Sequence, residues 1–290
     1  MKFTKVQGAG NDFILVETSN ESQDWSQTAI TTCDRHFGIG ADGLLLLMPS
    51  TVADFRMRIF NPDGSEAEAC GNGLRCLIKY VVNRGMVNTG IQEISVETMS
   101  GVRKAKLHKA GGEVVRIQIS MGAPKFGTGD IPIMIEPGKG KSLDIKSMLG
   151  YPVTVEDREL LLNLISMGNP HAVHFGQQPV SDFPLSQLGP KVQQLSIFPN
   201  GVNFEVARVM SRQLIEVRVW EKGVGETLAC GSGACAVTVA AQLYGYIDNR
   251  VSIKLPGGML DVEWDGVGVG VGEVLLTGPA EIVFTGEWPD

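Results

Sequence analysis

The sequence predicts an α/β (α+β) fold of two pseudo-symmetric domains from an internal duplication. Each is expected to be an antiparallel sheet wrapped around a central helix, with the active site in the interdomain cleft. Three observations carry this expectation. Glu66-Ala-Glu-Ala-Cys-Gly-Asn-Gly-Leu-Arg-Cys76 and Glu226-Thr-Leu-Ala-Cys-Gly-Ser-Gly-Ala-Cys235 share an Ala-Cys-Gly-x-Gly core, and each runs into a stretch of helix formers. Cys230 lies 160 residues after Cys70, and the same interval carries Arg58-Ile-Phe-Asn61 onto Arg218-Val-Trp-Glu221 and Gly85 onto Gly245. An interval of 158 carries Gly10-Asn11-Asp12-Phe13 onto Gly168-Asn169-Pro170-His171. Ordered matches at nearly constant spacing mark a repeated unit. Finally, Cys230 to Tyr244 is apolar almost all round, and a helix of that kind is buried.

At 290 residues the chain has room for two domains of ordinary size. They are expected at 1–122 plus about 276–290, carrying Cys70, and at 123–275, carrying Cys230. An apolar content of 43% supports real cores. The formal net charge of −7, with scattered Lys and Arg, argues against a nucleic-acid partner. No apolar run approaches the roughly 18 residues of a membrane span, and no signal-peptide core follows Met1-Lys2. A cytoplasmic protein with no membrane partner is expected. Five cysteines, an odd count, fit free thiols better than a disulfide framework.

In chain order, Met1 to Val16 reads as strand, Gly-rich turn and strand, with Asn11 on the turn. A helix is expected from around Trp25. Gly38-x-Gly40-x-x-Gly43 matches a dinucleotide fingerprint in letters only, since it precedes a Leu run that reads as a strand instead of opening a helix. Phe55 to Phe60 alternates as a strand does and ends in the turn signal Asn61-Pro-Asp-Gly64, which should place Asn61 near Cys70. Ile91 to Thr98, Val102 to Lys109 and Glu113 to Ser120 form a meander. The same order recurs from Leu160, with Asn169 and Asn203 on turns, Ile215 to Trp220 a strand, and Val251 to Val271 a meander. Gly122 to Tyr151, rich in Gly and Pro, marks the boundary.

Both Cys70 and Cys230 precede Gly-x-Gly at a helix start, where free N–H groups and the helix dipole are expected to lower a thiol pKa and to bind carboxylates. Zinc is disfavoured, because structural zinc prefers cysteines two to four residues apart. The Cys70/Cys76 and Cys230/Cys235 spacings are longer. Cys33, Cys76 and Cys235 read as small buried residues. His171 and His174, three apart after Asn-Pro, read as structural when taken alone, whereas Glu221 ends an apolar strand and should face the cleft or a partner. Two equivalent thiols suit a racemase, which removes a proton from one face of a carbon and returns one to the other. Nothing marks a pyridoxal-phosphate site, so no cofactor and no metal are expected, and the two helix N-termini would stabilise the charge growing on a substrate carboxylate.

Across nearly its whole length the chain resembles the diaminopimelate epimerases. The resemblance lies in Gly8-Ala-Gly-Asn-Asp-Phe13, Phe60-Asn-Pro-Asp-Gly-Ser65, Cys70-Gly-Asn-Gly73, Ser166-Met-Gly-Asn-Pro-His171 and Gly225-Glu-Thr-Leu-Ala-Cys-Gly-Ser-Gly233. It implies cofactor-free conversion of LL-2,6-diaminopimelate to the meso isomer, on the way to lysine and peptidoglycan. Cys70 and Cys230 would be the two bases. Gly71 with Asn72 and Gly231 with Ser232 would hold the reacting carboxylate. Asn11, Asn61, Asn169, Asn203, Glu221 and Lys222 would bind the rest of the substrate, with His171 and Glu221 assisting proton movement. A homodimer is a possible assembly. Two positions depart from the familiar pattern: Gly43 stands where Gln is common, at the repeat position of Asn203, and Lys222 where Arg is usual. An ammonium keeps the charge without the planar fork. The alternatives are a cofactor-independent racemase of another amino acid and a non-catalytic or isomerase-like member of the fold. Relatives of the latter kind typically lack one or both cysteines.

Overall fold

The computed structural model describes all residues except 68–69, 89, 128, 134–147, 267–271 and 290. It divides into two compact units, Met1–Ser120 with Thr277–Asp290, and Met121–Leu276. Unit 1 contains β1 (Lys2–Gly8), β2 (Asn11–Glu17), α1 (Trp25–Cys33), β3 (Gly43–Met48), β4 (Phe55–Phe60), β5 (Glu66–Ala67), α2 (Gly71–Asn83), β6 (Glu93–Thr98), β7 (Gly101–Ala110) and β8 (Glu113–Ser120). Unit 2 contains β9 (Tyr151–Val155), β10 (Arg158–Ser166), β11 (Pro170–Phe175), α3 (Leu185–Gln193), β12 (Asn203–Ser211), β13 (Leu214–Glu221), β14 (Gly225–Thr227), α4 (Gly231–Leu243), β15 (Arg250–Leu255) and β16 (Gly258–Trp264). β17 (Val274–Gly278) then leads into β18 (Glu281–Glu287), which pairs antiparallel with β1. Much of the boundary stretch 122–151, and the end of the second meander, lie outside the described residues.

The strand pairings of the two units form one series written twice. In unit 1, β1–β2 is antiparallel, β2–β3 parallel, β3–β4 and β4–β5 antiparallel, β4–β6 parallel and β6–β7 antiparallel. Unit 2 repeats this with β10–β11, β11–β12, β12–β13, β13–β14, β13–β15 and β15–β16. Even the register is kept, Phe13 opposite Gly43 and His171 opposite Asn203. The expected antiparallel sheets are therefore mixed. Parallel neighbours need a crossover, and each parallel pair here is joined through one of the α-helices named above.

The core helices differ in how sequence buries them. In α2, Leu74, Leu77, Ile78 and Val81 follow the i, i+3, i+4, i+7 rule and are all buried. The helix packs on β1, β2 and β8. In α4, Gly233 through Ala241 are all buried, and small residues on every side let strands β10, β11, β12 and β16 pack around it. Gly85 and Gly245, matched by the 160-residue interval, both follow these helices at positive φ (66° and 71°), the conformation that stops a helix most cheaply when the residue is glycine.

The approach to each helix is pinned in the same way. Arg58 forks onto Glu66 with bonds of 2.7 and 2.8 Å, and Arg218 onto Glu226 with bonds of 2.8 and 3.0 Å. Bidentate pairs of this kind fix direction as well as contact. Two asparagines expected on turns are instead the first residues of strands. Ala9 (φ 55°) and Gly10 (φ 83°) supply the two positive-φ residues of a tight hairpin, so pairing already begins at Asn11. After the turn at Gly201, Asn203 opens β12.

Candidate functional site

Cys70 and Cys230 are the N-cap residues of α2 and α4. Each has extended backbone (φ −141°, ψ 116° and φ −119°, ψ 114°), and each Sγ accepts the N–H of the glycine three residues on at 3.4 Å. Sulfur thus does the work that Ser or Asp does at an ordinary helix start. The first-turn residues Gly71, Asn72, Gly231 and Ser232 follow directly.

In unit 1 the structure brings Cys70, Asn11 and Asn72 together. The Asn11 Oδ1 atom accepts Asn72 Nδ2 at 3.1 Å and faces the Cys70 thiol at 3.9 Å, while Asn11 Nδ2 donates to Asp42 Oδ2 at 2.7 Å. Asn72 is itself held by the buried Arg75, whose Nη2 donates to Asn72 Oδ1 at 2.7 Å. Asp42 and Asp12 share Arg35, and the buried Lys5 pairs with Asp12 at 2.5 Å. Burial opposes ionisation of Asp12, but Arg35 and Lys5 outweigh it and hold the carboxyl below its usual range. Asn61 donates its amide to Ser65 Oγ at 2.9 Å within its own turn. Gly43 has no room for a side chain, since a Cβ there would lie 2.9 Å from the Phe60 carbonyl oxygen.

Unit 2 gathers a larger group. Cys230 Sγ lies 3.5 Å from Ser232 Oγ, and Asn169 Nδ2 donates to Ser232 Oγ at 3.3 Å. His171, fully buried on β11, contacts Asn169 Oδ1 through Nε2 at 3.0 Å and Glu205 Oε1 through Nδ1 at 2.7 Å. Glu221 accepts the Thr227 hydroxyl and interacts with the Cys230 thiol. Asn203 donates to the Pro170 carbonyl at 3.0 Å and accepts the Lys222 N–H at 2.9 Å, so its amide is held from both ends. The Lys222 side chain is exposed, its stem lying over Gly201.

The electrostatics correct one expectation. Instead of being lowered, the Cys230 thiol is raised well above its ordinary 9.0, first by burial and then by Glu221 and Glu205, against weaker help from Ser232 and the Gly233 N–H. Burial likewise raises Glu221, opposed by Thr227 and Cys230. The helix terminus is present, but apolar packing and two carboxylates outweigh it. Cys33, Cys76 and Cys235 are buried thiols outside any disulfide, as their small apolar character implies. Sequence reading missed Asp42, Arg75 and Glu205. The signal for Glu205 was available: it stands 160 residues after Leu45, so one copy of the repeat has a carboxylate where the other has an aliphatic side chain.

The family model for diaminopimelate epimerase matches residues 3–127 and 163–283. The chain belongs to the diaminopimelate epimerase family. It is 44% identical over 288 residues to the diaminopimelate epimerase of Acetivibrio thermocellus, covering 99% of this chain and 98% of the relative. The diaminopimelate epimerase of Pelotomaculum thermopropionicum is also 44% identical, over 293 residues, covering 100% and 99%. Among solved structures, a probable proline racemase from Agrobacterium radiobacter K84 superposes with a TM-score of 0.73 at 14% identity, covering 99% of this chain and 92% of that one. That likeness is one of fold: this mixed α+β, sheet-dominated architecture is found in a protein with only 14% of its sequence in common.

Proposed function

We propose that this protein is an isomerase that converts LL-2,6-diaminopimelate to meso-2,6-diaminopimelate without a cofactor, by a two-base mechanism on the path to lysine and peptidoglycan precursors. The observation that carries the reading is the pair of equivalent helix-capping thiols. Each sulfur sits beside first-turn N–H groups suited to a carboxylate. Each also has a polar neighbour that can orient substrate, Asn11 at Cys70 and Ser232 at Cys230.

In this mechanism one thiolate takes the α proton and the other thiol returns one to the opposite face. Cys230, raised by burial and by Glu221 and Glu205, holds its proton at neutral pH and serves as the acid, which leaves Cys70 as the base in that direction. The reverse direction exchanges the roles. Gly71, Asn72, Gly231 and Ser232 would receive the reacting carboxylate, where charge grows as the carbanion forms. Asn11, Asn61, Asn169, Asn203, Glu221 and Lys222 would bind the remainder of the substrate. His171 and Glu221 would assist proton movement at Cys230. The substrate is a small molecule, and no helix among the described residues is long and apolar enough to cross a membrane. A cytoplasmic location and a homodimer are part of the same proposal.

The test is direct. Purified protein with LL-diaminopimelate in deuterated water should incorporate deuterium at an α carbon and yield the meso isomer. Exchange on a different amino acid, with none on diaminopimelate, would refute the substrate assignment.

A further inference from the structure

The two copies of the repeat differ beneath their thiols. In unit 1 the helix start rests on apolar residues: a Cβ on Gly73 would lie 3.0 Å from Leu45, and Phe13 is buried alongside in the equivalent strand. In unit 2 a Cβ on Gly233 would lie 2.7 Å from Glu205 Oε1, and the place of Phe13 is taken by His171. Glu205 and His171 have 0% exposure. Unit 1 builds the same strands and the same helix with Leu45 and Phe13, so the fold has no need of the pair. Buried ionisable groups add little net stability in any case. A functional reason is required.

The hydrogen bonds supply one. Glu205 Oε1 and Asn169 Oδ1 flank the two ring nitrogens of His171, so a hydrogen must lie on each line. A bare Nε2 would set its lone pair against the Asn169 Oδ1 lone pairs at 3.0 Å. With a hydrogen on Nε2, Asn169 must turn its carbonyl to the imidazole, and its NH2 points to Ser232. In unit 1 the equivalent Asn11 is turned the other way: its NH2 goes to Asp42, and its carbonyl faces Asn72 and the Cys70 thiol.

We propose that Glu205 is a positioning residue, which through His171 fixes the Asn169 amide as a hydrogen-bond donor where Asp42 fixes the equivalent Asn11 as an acceptor. The two copies of one asparagine then offer opposite hydrogen-bonding senses, as a substrate with both ammonium and carboxylate groups requires. This rests on the reading above, in which Asn169 touches the substrate.

Two experiments test it. In protein labelled with 15N-histidine, long-range 1H–15N correlation spectra, with His171 assigned by its loss in His171→Gln, should show Nε2 of His171 protonated. An unprotonated Nε2 overturns the proposal whether or not the protein proves to be an epimerase. In the kinetic arm, Glu205→Leu should raise KM for diaminopimelate about tenfold, the size of one misdirected hydrogen bond. Glu205→Gln, whose amide can donate to Nδ1 and keep Nε2–H, should stay within about threefold of wild type. On an Asn169→Ala background Glu205→Leu should add almost nothing, because the residue it acts through is gone. An undiminished effect on that background overturns the proposal, and so does a tenfold rise in KM for Glu205→Gln, which decides the matter even if the Leu variant does not fold. A wild type that exchanges no proton on diaminopimelate sinks the proposed function instead and leaves the histidine spectrum to be judged alone.

Discussion

Replacing Cys70 by serine separates the two tasks this residue is given, capping a helix and moving a proton. The cap is a long sulfur contact, 3.4 Å from the Gly73 N–H. Serine is among the preferred N-cap residues, and losing such a cap to alanine costs about 1 kcal/mol. Cys70→Ser should therefore keep the stability of the wild type or gain a few tenths of a kcal/mol, while Cys70→Ala should lose about 0.5–1 kcal/mol. Catalysis should follow the opposite logic. An alcohol is not ionised at neutral pH, and a positioned acid or base contributes about 10² to 10⁴ in rate. Both variants should thus lose at least a hundredfold in kcat for diaminopimelate, the serine variant despite its intact fold. Denaturant melts give the first quantity, and deuterium entry at the α carbon gives the second. The same pair of substitutions at Cys230, capped identically on Gly233, should repeat the result. Retention of activity within about tenfold by Cys70→Ser would refute the assignment of a base to this position, and equal stability of the Ser and Ala variants would refute the capping account.

Three further outcomes are expected. Burial raises the Cys33 thiol from 9.0 to about 11 and moves Cys76 and Cys230 upward too, so the folded protein binds more protons than the unfolded chain above pH 9; stability contributed by these thiols is whole below pH 9 and lost as pH rises. Cys33→Ala should flatten the decline between pH 9 and about 11 in melts recorded across that range, and an unchanged slope would remove Cys33 from the account. If Cys70 and Cys230 serve one carbon, mild oxidation should inactivate the protein through a Cys70–Cys230 link that reductant reverses, and peptide maps of inactive protein with both thiols free would contradict this. Lys222→Ala should lower kcat/KM for diaminopimelate by roughly 2 kcal/mol, the range for a hydrogen bond to a charged group, with Lys222→Arg tolerated because the side chain is exposed; no change in kcat/KM for Lys222→Ala would exclude a contact with the distal carboxylate.

What the sequence made legible is local or repeated. The 160-residue interval predicted equivalent roles for Gly85 and Gly245, and both stop a helix; it paired Arg58 with Arg218, and both fork onto a glutamate eight residues on. The glycine pattern after Cys70 and Cys230 put both thiols at helix starts, where they are. Strand direction was not legible. Alternation says which face of a strand is buried, but nothing in Phe13-Ile-Leu-Val16 says that its neighbour runs parallel; that follows from the crossover through α1. The thiol environment was hidden for a related reason. A helix N-terminus can be read from neighbouring residues, whereas the groups that raise Cys230 arrive from β12 and β13, at Glu205 and Glu221.

Within Asn203-Phe-Glu-Val206, Glu205 looks like the polar half of an alternating strand and would be assigned to solvent; it is fully buried. Comparing the copies with each other is more informative than reading either alone. Where both keep a residue, as with the capping cysteines and the Arg–Glu forks, the common fold or the common chemistry accounts for it. Where one copy departs toward an expensive choice, a buried glutamate for leucine and a buried histidine for phenylalanine, packing cannot account for it, because the other copy packs the same architecture without it. A duplicated protein carries its own control in this sense. Residues that make the two halves unequal beneath two equal thiols are the ones to examine for what distinguishes the two faces of the substrate.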